Sequence, residues 1–188
     1  MECELREIVL RDKPQAFLAA SPSATVPCLE LQSGNIDESF DIMLWALGQN
    51  DPEALLDMPS KGMQLVEACD GPFKAALDHY KYATRYEGID AVSERAVASN
   101  FVQQLEEQLS GAPWLFGEAP KLADLAILPF IRQFAHVDLE WFESQPWPSV
   151  IAWLNAFKAS KRFALIMAKY KPWQAGRGPV FPEVAHAP

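Results

Sequence analysis

At 188 residues, 49% of them hydrophobic, the chain is long enough for one large domain or two small ones with a packed core. A formal net charge of −9 argues against a nucleic-acid partner, because phosphate binding requires clustered lysine and arginine. No apolar stretch approaches the roughly 18 to 20 residues of a membrane span, and the acidic start is unlike a signal peptide, so we expect a cytoplasmic protein with no membrane attachment.

The first 48 residues have the pattern of a small α/β unit. Short runs rich in aliphatic and β-branched residues alternate with proline- and glycine-containing turns, which is typical of short strands. We predict, in chain order, a strand over residues 4–10, a helix over 15–20, a strand over 26–31, a third strand around Ile36 and a helix from Glu38.

After a polar, proline-containing stretch over residues 48–59, helical periodicity dominates. The predicted helices cover residues 61–86 with a kink near Gly71-Pro72, 91–109, 122–136, 147–157 and 162–169. The proline-rich end is expected to be extended or disordered. The predicted fold class is α+β, mostly helical, with an α/β unit over 1–48, an all-helical domain over 60–170 and a tail over 171–188.

The step Val26-Pro27 at the start of a short apolar strand is the most informative motif. Proline cannot donate to a sheet ladder, and an X-Pro bond at such a place is a candidate cis peptide that turns the Val26 main chain outward. Glu38-Ser39 then stands at the head of a helix, where unpaired N–H groups attract anions. Together these residues predict a main-chain clamp for a small peptide-like molecule.

Simpler interpretations stay open for each residue of this motif. Val26-Pro27 could be an ordinary strand entry with a trans bond, and Glu38 a carboxylate that only stabilises a helix start. Lys13 could be a solvated surface lysine. Cys28 is expected to be a small apolar strand residue, with a redox-active thiol as the alternative.

The order of Val26-Pro27, Glu38-Ser39 and the apolar run 122–126 resembles the cytosolic glutathione transferase superfamily. Lys13-Pro14 ahead of these elements looks most like the omega-type and related bacterial members. The resemblance implies a thioredoxin-like unit followed by a helical domain. It also implies glutathione as substrate or ligand and no metal.

The resemblance assigns each residue a role toward glutathione. The main chain of Val26, ahead of a cis Pro27, would pair with the cysteinyl part like an added strand. Glu38 and Ser39 would hold the γ-glutamyl end, and Lys13 would reach the glycine carboxylate. Asp124 would hold the start of the buried helix, although Lys121 stands where the family has a serine or threonine cap, so a different local solution must close that helix end.

The front of the chain departs from the family pattern. Its first strand aligns with the second strand of the family, and the strand, loop and helix that carry the catalytic Tyr, Ser or Cys are absent, so the catalytic residue is unknown. A misplaced start, and hence an N-terminally truncated product, is one explanation. The exposed sheet edge predicts a homodimer, with strand exchange as one form of it, or a poorly ordered N-terminal unit.

Two functions therefore stay open at this point. The first is a glutathione S-transferase-like enzyme that conjugates glutathione to electrophiles or reduces mixed disulfides. The second is a catalytically silent binding or interaction protein on the same scaffold. The three histidines, His79, His136 and His186, and the three widely spaced cysteines indicate no metal site, disulfide framework or histidine-based catalysis.

Overall fold

The computed structural model describes residues 2–174, 176 and 178–181. The chain divides into two compact units, and residues 47–166 form one of them. The other unit contains the residues before 47 together with the described residues from 167 onward. The stretch predicted as a separate tail thus returns to the amino-terminal unit, while its end, 182–188 with His186, lies outside the described residues.

The first unit contains short strands and helices. They are β1 (Cys3–Glu4), α1 (Gln15–Ala20), β2 (Leu29–Leu31), β3 (Gly34–Ile36), α2 (Ser39–Gln49) and β4 (Val180–Phe181). The helix α2 continues into the second unit. The strands predicted over 4–10 and 26–31 are therefore shorter in the structure, because a ladder forms only where a neighbouring strand accepts its hydrogen bonds, and Pro27 has no N–H to donate.

The strands form two separate antiparallel pairs in the described part of the chain, β1 with β4 and β2 with β3. The stretch that ends in β4 is held by main-chain bonds: the Leu5 N–H donates to the Pro179 carbonyl at 2.8 Å, and the Trp173 N–H donates to the Glu7 carbonyl. The Arg6 guanidinium also lies over the Trp173 ring, 5.3 Å from its centroid. These contacts explain why the proline-rich end belongs to the first unit.

The second unit is helical. Its helices are α3 (Ser60–Ala68), α4 (Lys74–Lys81), α5 (Ala91–Gln108), α6 (Leu122–Ala135), α7 (Leu139–Glu143), α8 (Pro148–Lys158) and α9 (Lys161–Ile166). The break predicted near Pro72 is a π-helical turn over Cys69–Phe73, which joins α3 to α4 and accommodates a residue without an N–H. No described helix is both long and apolar enough to cross a membrane.

Burial differs sharply between the two units. Every buried apolar side chain of the described residues lies between Leu55 and Phe157, in the second unit, and α6 is at the centre of this core. In the first unit the only buried side chain among the described residues is that of Ser21. The helical unit therefore has a conventional core, whereas the first unit leaves its apolar side chains partly open to solvent.

The start of α6 is closed by a buried carboxylate. Asp124 Oδ2 accepts from the Lys121 N–H at 2.8 Å, and its Oδ1 accepts from the Leu115 N–H and the Trp153 indole N–H, both at 2.9 Å. The lysine side chain has no acceptor and cannot complete a capping box. Instead, the Leu55 carbonyl accepts from the first helical N–H, that of Leu122. The Asp124 carboxylate and the Leu55 carbonyl therefore take the place of the missing serine or threonine cap at Lys121.

Replacing this carboxylate is expected to destabilise the helical unit. In Asp124→Asn an NH₂ group faces one of the three buried N–H donors, so we expect a loss of about 2–4 kcal/mol in the free energy of unfolding, measured in urea. Asp90→Asn is the matched control, because Asp90 caps α5 on the surface and asparagine is an equally good cap. A loss of equal size in both variants would contradict the role given to Asp124.

Candidate functional site

The candidate site is organised by the carboxylate of Asp37. The Ser21 hydroxyl donates to its Oδ1 at 2.6 Å and the Ser23 N–H to its Oδ2 at 3.0 Å. Ser21 Oγ also lies 3.2 Å from the Thr25 carbonyl oxygen, and the Ser23 and Thr25 hydroxyls are hydrogen-bonded to each other. Donation from Ser21 and then from Ser23 lowers the pKa of Asp37 below its usual value. The carboxylate therefore holds the loop over residues 21–25 in place.

This loop delivers the Val26 main chain. The Val26–Pro27 peptide bond is cis, which confirms the prediction from the position of Pro27, and the Val26 residue is 46% exposed. Within the described residues no hydrogen bond uses the N–H or the carbonyl of Val26. Both main-chain groups are consequently available to an added strand.

Asp37 also places the head of α2 beside that loop, because Glu38 and Ser39 follow it directly. The Ile42 N–H donates to the Glu38 carbonyl at 3.0 Å, so the helical bonding starts at Glu38. Both Glu38 and Ser39 are exposed, and no described hydrogen bond uses the N–H groups of residues 39–41. The bonds of Asp37 thus tie the loop that precedes Val26 to the residue before α2, and the first N–H groups of that helix have no described partner.

Lys13 has no described contact with Val26, Pro27, Glu38 or Ser39. Lys13 is half-buried and lies just before α1. At the other end of α1, the Ala20 carbonyl accepts from the Asn35 side-chain amide at 2.7 Å and lies 3.6 Å from Cys28 Sγ. No hydrogen bond or ion pair to Lys13 is described, so its ammonium remains available to a ligand carboxylate.

A cavity of about 1000 Å³ lies in the same unit. Val26 and Pro27 line it, whereas Lys13, Glu38 and Ser39 do not. Its apolar wall comes from the first extended segment, α1, the hairpin, α2 and the returning end of the chain, and it includes Leu5, Ile8, Phe17, Leu29, Leu31, Ile42, Trp45, Trp173 and Phe181. The predicted clamp therefore stands at the rim of a larger apolar space.

The environment of Cys28 opposes a reactive thiol. Burial and, secondarily, the nearby Asp37 carboxylate raise the pKa of the Cys28 thiol above its ordinary value. The thiolate is the nucleophilic form, so this thiol is protonated at neutral pH. The local chemistry favours the interpretation of Cys28 as a small apolar strand residue.

The histidines of the helical unit do not form a site. His79 pairs with Glu94 at 3.3 Å, and His136 lies 2.9 Å from the Arg132 carbonyl on its own helix. The described residues contain no group of three His, Cys, Asp or Glu side chains that could hold a metal ion.

Sequence reasoning overlooked the network that positions the clamp. Asp37, Ser21 and Ser23 were not predicted as functional positions, although serines in a turn and an aspartate just before a helix are frequent hydrogen-bonding partners of the main chain. Such residues indicate hydrogen bonds within their own turn only. They do not predict the bond from Ser21 to Asp37, which lies in another turn.

The Asp37 network predicts a pH-dependent loop. Because the pKa of Asp37 is lowered in the folded protein, its stabilising effect is complete above the ordinary value of 3.8 and is lost as the pH falls through the folded pKa. We expect the hydrogen-exchange protection factor of the Ser23 amide to fall in that range. Asp37→Asn should lose protection at neutral pH, whereas Asp41→Asn, on the first turn of α2, should keep it. Equal protection in both variants would refute the role of Asp37.

Comparison with known families covers most of the chain. The model of the glutathione S-transferase N-terminal domain matches residues 1–54, and the model of the C-terminal domain matches residues 65–156. No curated protein matches the sequence.

Solved structures share the fold at low sequence identity. The ternary complex of BphK, a bacterial glutathione transferase, has a TM-score of 0.69 and 19% identity over 84% of this chain and 82% of its own. A Pseudomonas fluorescens Pf-5 family member solved with two glutathione bound has a TM-score of 0.68 and 20% identity over 81% and 74%. A glutathione S-transferase from Rhodospirillum rubrum F11 has a TM-score of 0.67 and 20% identity over 90% and 81%.

The fold class predicted from the sequence is thereby confirmed: a mostly helical α+β protein with a thioredoxin-like unit and a helical glutathione-transferase domain. The two family models match adjacent parts of the chain in the order typical of this family, and the solved structures agree with them. The chain belongs to the glutathione S-transferase superfamily.

Proposed function

We propose that this protein binds glutathione at the clamp formed by Val26, Pro27, Glu38 and Ser39, with Lys13 at the far end of the ligand. The observation that carries the proposal is the Asp37 network, which ties the loop before Val26 to the residue that precedes Glu38 and Ser39, while the main-chain groups of Val26 and the first N–H groups of α2 have no described partner. The Pseudomonas fluorescens relative solved with glutathione supports the same ligand.

The charges of the clamp match those of glutathione at neutral pH, which has two carboxylates and one ammonium. The N–H groups at the start of α2 and the Ser39 hydroxyl would hold the γ-glutamyl carboxylate, and the Glu38 carboxylate would pair with the neighbouring ammonium. The Val26 main chain would pair with the cysteinyl peptide units. Lys13 would attract the glycine carboxylate as a point charge.

The family chemistry, conjugation to electrophiles or reduction of mixed disulfides, requires the glutathione thiolate. The cavity beside the clamp carries Glu2, Glu4, Glu7 and Glu30 against the single cation Arg6 among its described lining residues. Carboxylates near a thiol disfavour its thiolate form. Burial is the main cause of the raised pKa of Cys28, and Asp37 and Glu30 add to it. This observation favours the catalytically silent binding protein over the transferase.

The subclass and the compartment are proposed on two separate grounds. Lys13-Pro14 with the Val-Pro and Glu-Ser elements favours an omega-type relationship within the superfamily. The three cysteines are free in the structure, which agrees with a reducing compartment such as the cytoplasm. We propose an omega-type, cytoplasmic protein, for which glutathione would be the natural ligand.

Calorimetry with glutathione tests the clamp. We expect Ser39→Ala and Glu38→Gln each to weaken binding about tenfold, because each removes a charge-assisted hydrogen bond. Asp41→Asn controls for a lost charge at the head of α2, and Ser33→Ala for a lost hydroxyl in the hairpin turn; both should bind like the unmodified protein. Failure of the folded protein to bind glutathione or its S-alkyl analogues at millimolar concentration would reject the clamp.

Turnover separates the two functional classes. With saturating glutathione and 1-chloro-2,4-dinitrobenzene, or with a glutathione mixed disulfide, we expect no rate above the uncatalysed reaction, because the carboxylates around the cavity oppose the thiolate. The measurement is the absorbance change on conjugation or reduction. A rate that exceeds the uncatalysed one and falls in Ser39→Ala would instead assign a transferase.

A further inference from the structure

One buried donor of the helical unit has no acceptor. Arg132 Nε, on α6, is the only buried side-chain nitrogen or oxygen of the described residues that makes no hydrogen bond. No described ion pair involves Arg132 either. A buried N–H group without an acceptor costs free energy, so its presence in a native structure requires an explanation. Functional sites are the places where proteins retain such departures from complete pairing.

Apolar neighbours hold the guanidinium of Arg132 in a defined place. Its central carbon lies over the Phe163 ring of α9, 5.4 Å from the centroid, and that ring packs edge-on against Phe157, with 5.2 Å between the two centroids. The residue as a whole is half-buried, so part of the guanidinium reaches solvent. A guanidinium whose face is covered by a ring binds through its edge, and the Nε–H and a neighbouring Nη–H on that edge match the two oxygens of a carboxylate.

The helices that supply these rings carry positive charge only. α8 and α9 contain Lys158, Lys161 and Arg162 but no aspartate or glutamate. Arg162 is paired with Glu53 at 2.6 Å, whereas no ion pair of either lysine is described. In a chain with a net charge of −9, this local excess of cations favours an anionic ligand beside Arg132.

An apolar surface adjoins the Phe163 ring. Ile166 lies three residues after Phe163 on α9 and is 63% exposed. Residues three apart on a helix are neighbours on the same face. A ligand whose carboxylate meets the edge of Arg132 can therefore place apolar atoms against Ile166.

We propose that the helical unit binds a small organic acid, with its carboxylate on the Nε and Nη edge of Arg132 and its apolar part beside Phe163 and Ile166. The ligand would supply the acceptor that the described residues do not provide for Arg132 Nε. The site shares no residue with the glutathione clamp, and neither Arg132 nor Phe163 lines the cavity of the first unit.

Phenylacetate is the probe for this site, since it carries a carboxylate one carbon away from an apolar ring. We expect it to shift the Arg132 Nε–H resonance in proton–nitrogen NMR spectra of the full-length chain, with half-saturation at about 1 mM. Phenylacetamide has nearly the same shape without the charge and should bind at least about tenfold more weakly. Ser39→Ala, which weakens the clamp, should leave phenylacetate binding unchanged.

Variants of Arg132 separate ligand binding from a structural role. Arg132→Lys keeps the charge but loses the fork, so calorimetry should show about tenfold weaker phenylacetate binding, whereas Lys161→Gln, which removes an exposed cation of α9, should bind as before. Arg132→Met keeps an apolar stem and removes the unpaired donor. It should therefore lose phenylacetate binding while its urea midpoint of unfolding stays equal or rises.

Four results would overturn the proposal. The first is an Arg132 Nε–H resonance that does not move at millimolar phenylacetate, and the second is equal affinity for phenylacetamide. The third is tighter binding of inorganic phosphate than of phenylacetate, which would assign a phosphate site instead. The fourth is a lower urea midpoint in Arg132→Met with phenylacetate binding retained, which would make Arg132 a structural residue.

Discussion

The candidate site depends on the two oxygens of the Asp37 carboxylate. They accept from Ser21 and Ser23, which fixes the loop that leads into Val26, and the same residue immediately precedes Glu38 and Ser39. Ser21 is the one buried polar group of this network, so its hydroxyl needs the carboxylate as a partner. Without that bond the loop before Val26 would lose its direct link to the residue that precedes Glu38 and Ser39.

The two units use buried polar groups in different ways. In the helical unit, Asp124 is buried within a dense apolar core, where its three N–H donors offset part of its desolvation, which raises the pKa of its carboxyl. In the first unit, Asp37 is at the surface and organises a region with no apolar core of its own. Local hydrogen bonding rather than burial therefore positions the clamp, and the open cavity beside it is the structural counterpart of the missing core.

Much of the helical unit could be predicted from the sequence because apolar residues at helical spacing mark helices that pack against one another. The start of α2 and the cis bond before Pro27 were also predictable, since each rests on the local chemistry of one or two residues. The returning end of the chain was not, because its bonds join Trp173 to Glu7 and Pro179 to Leu5, which are far apart in sequence. The short helix α7, Leu139–Glu143, was missed because five residues carry too little periodicity.

The most direct test of the account is an NMR titration of the full chain with glutathione, followed by amide chemical shifts. The account predicts that the Val26 and Ser39 amides shift together along one binding curve, while the amides of α8 stay unchanged. Binding that shifts amides elsewhere and leaves Val26 and Ser39 unchanged would contradict it.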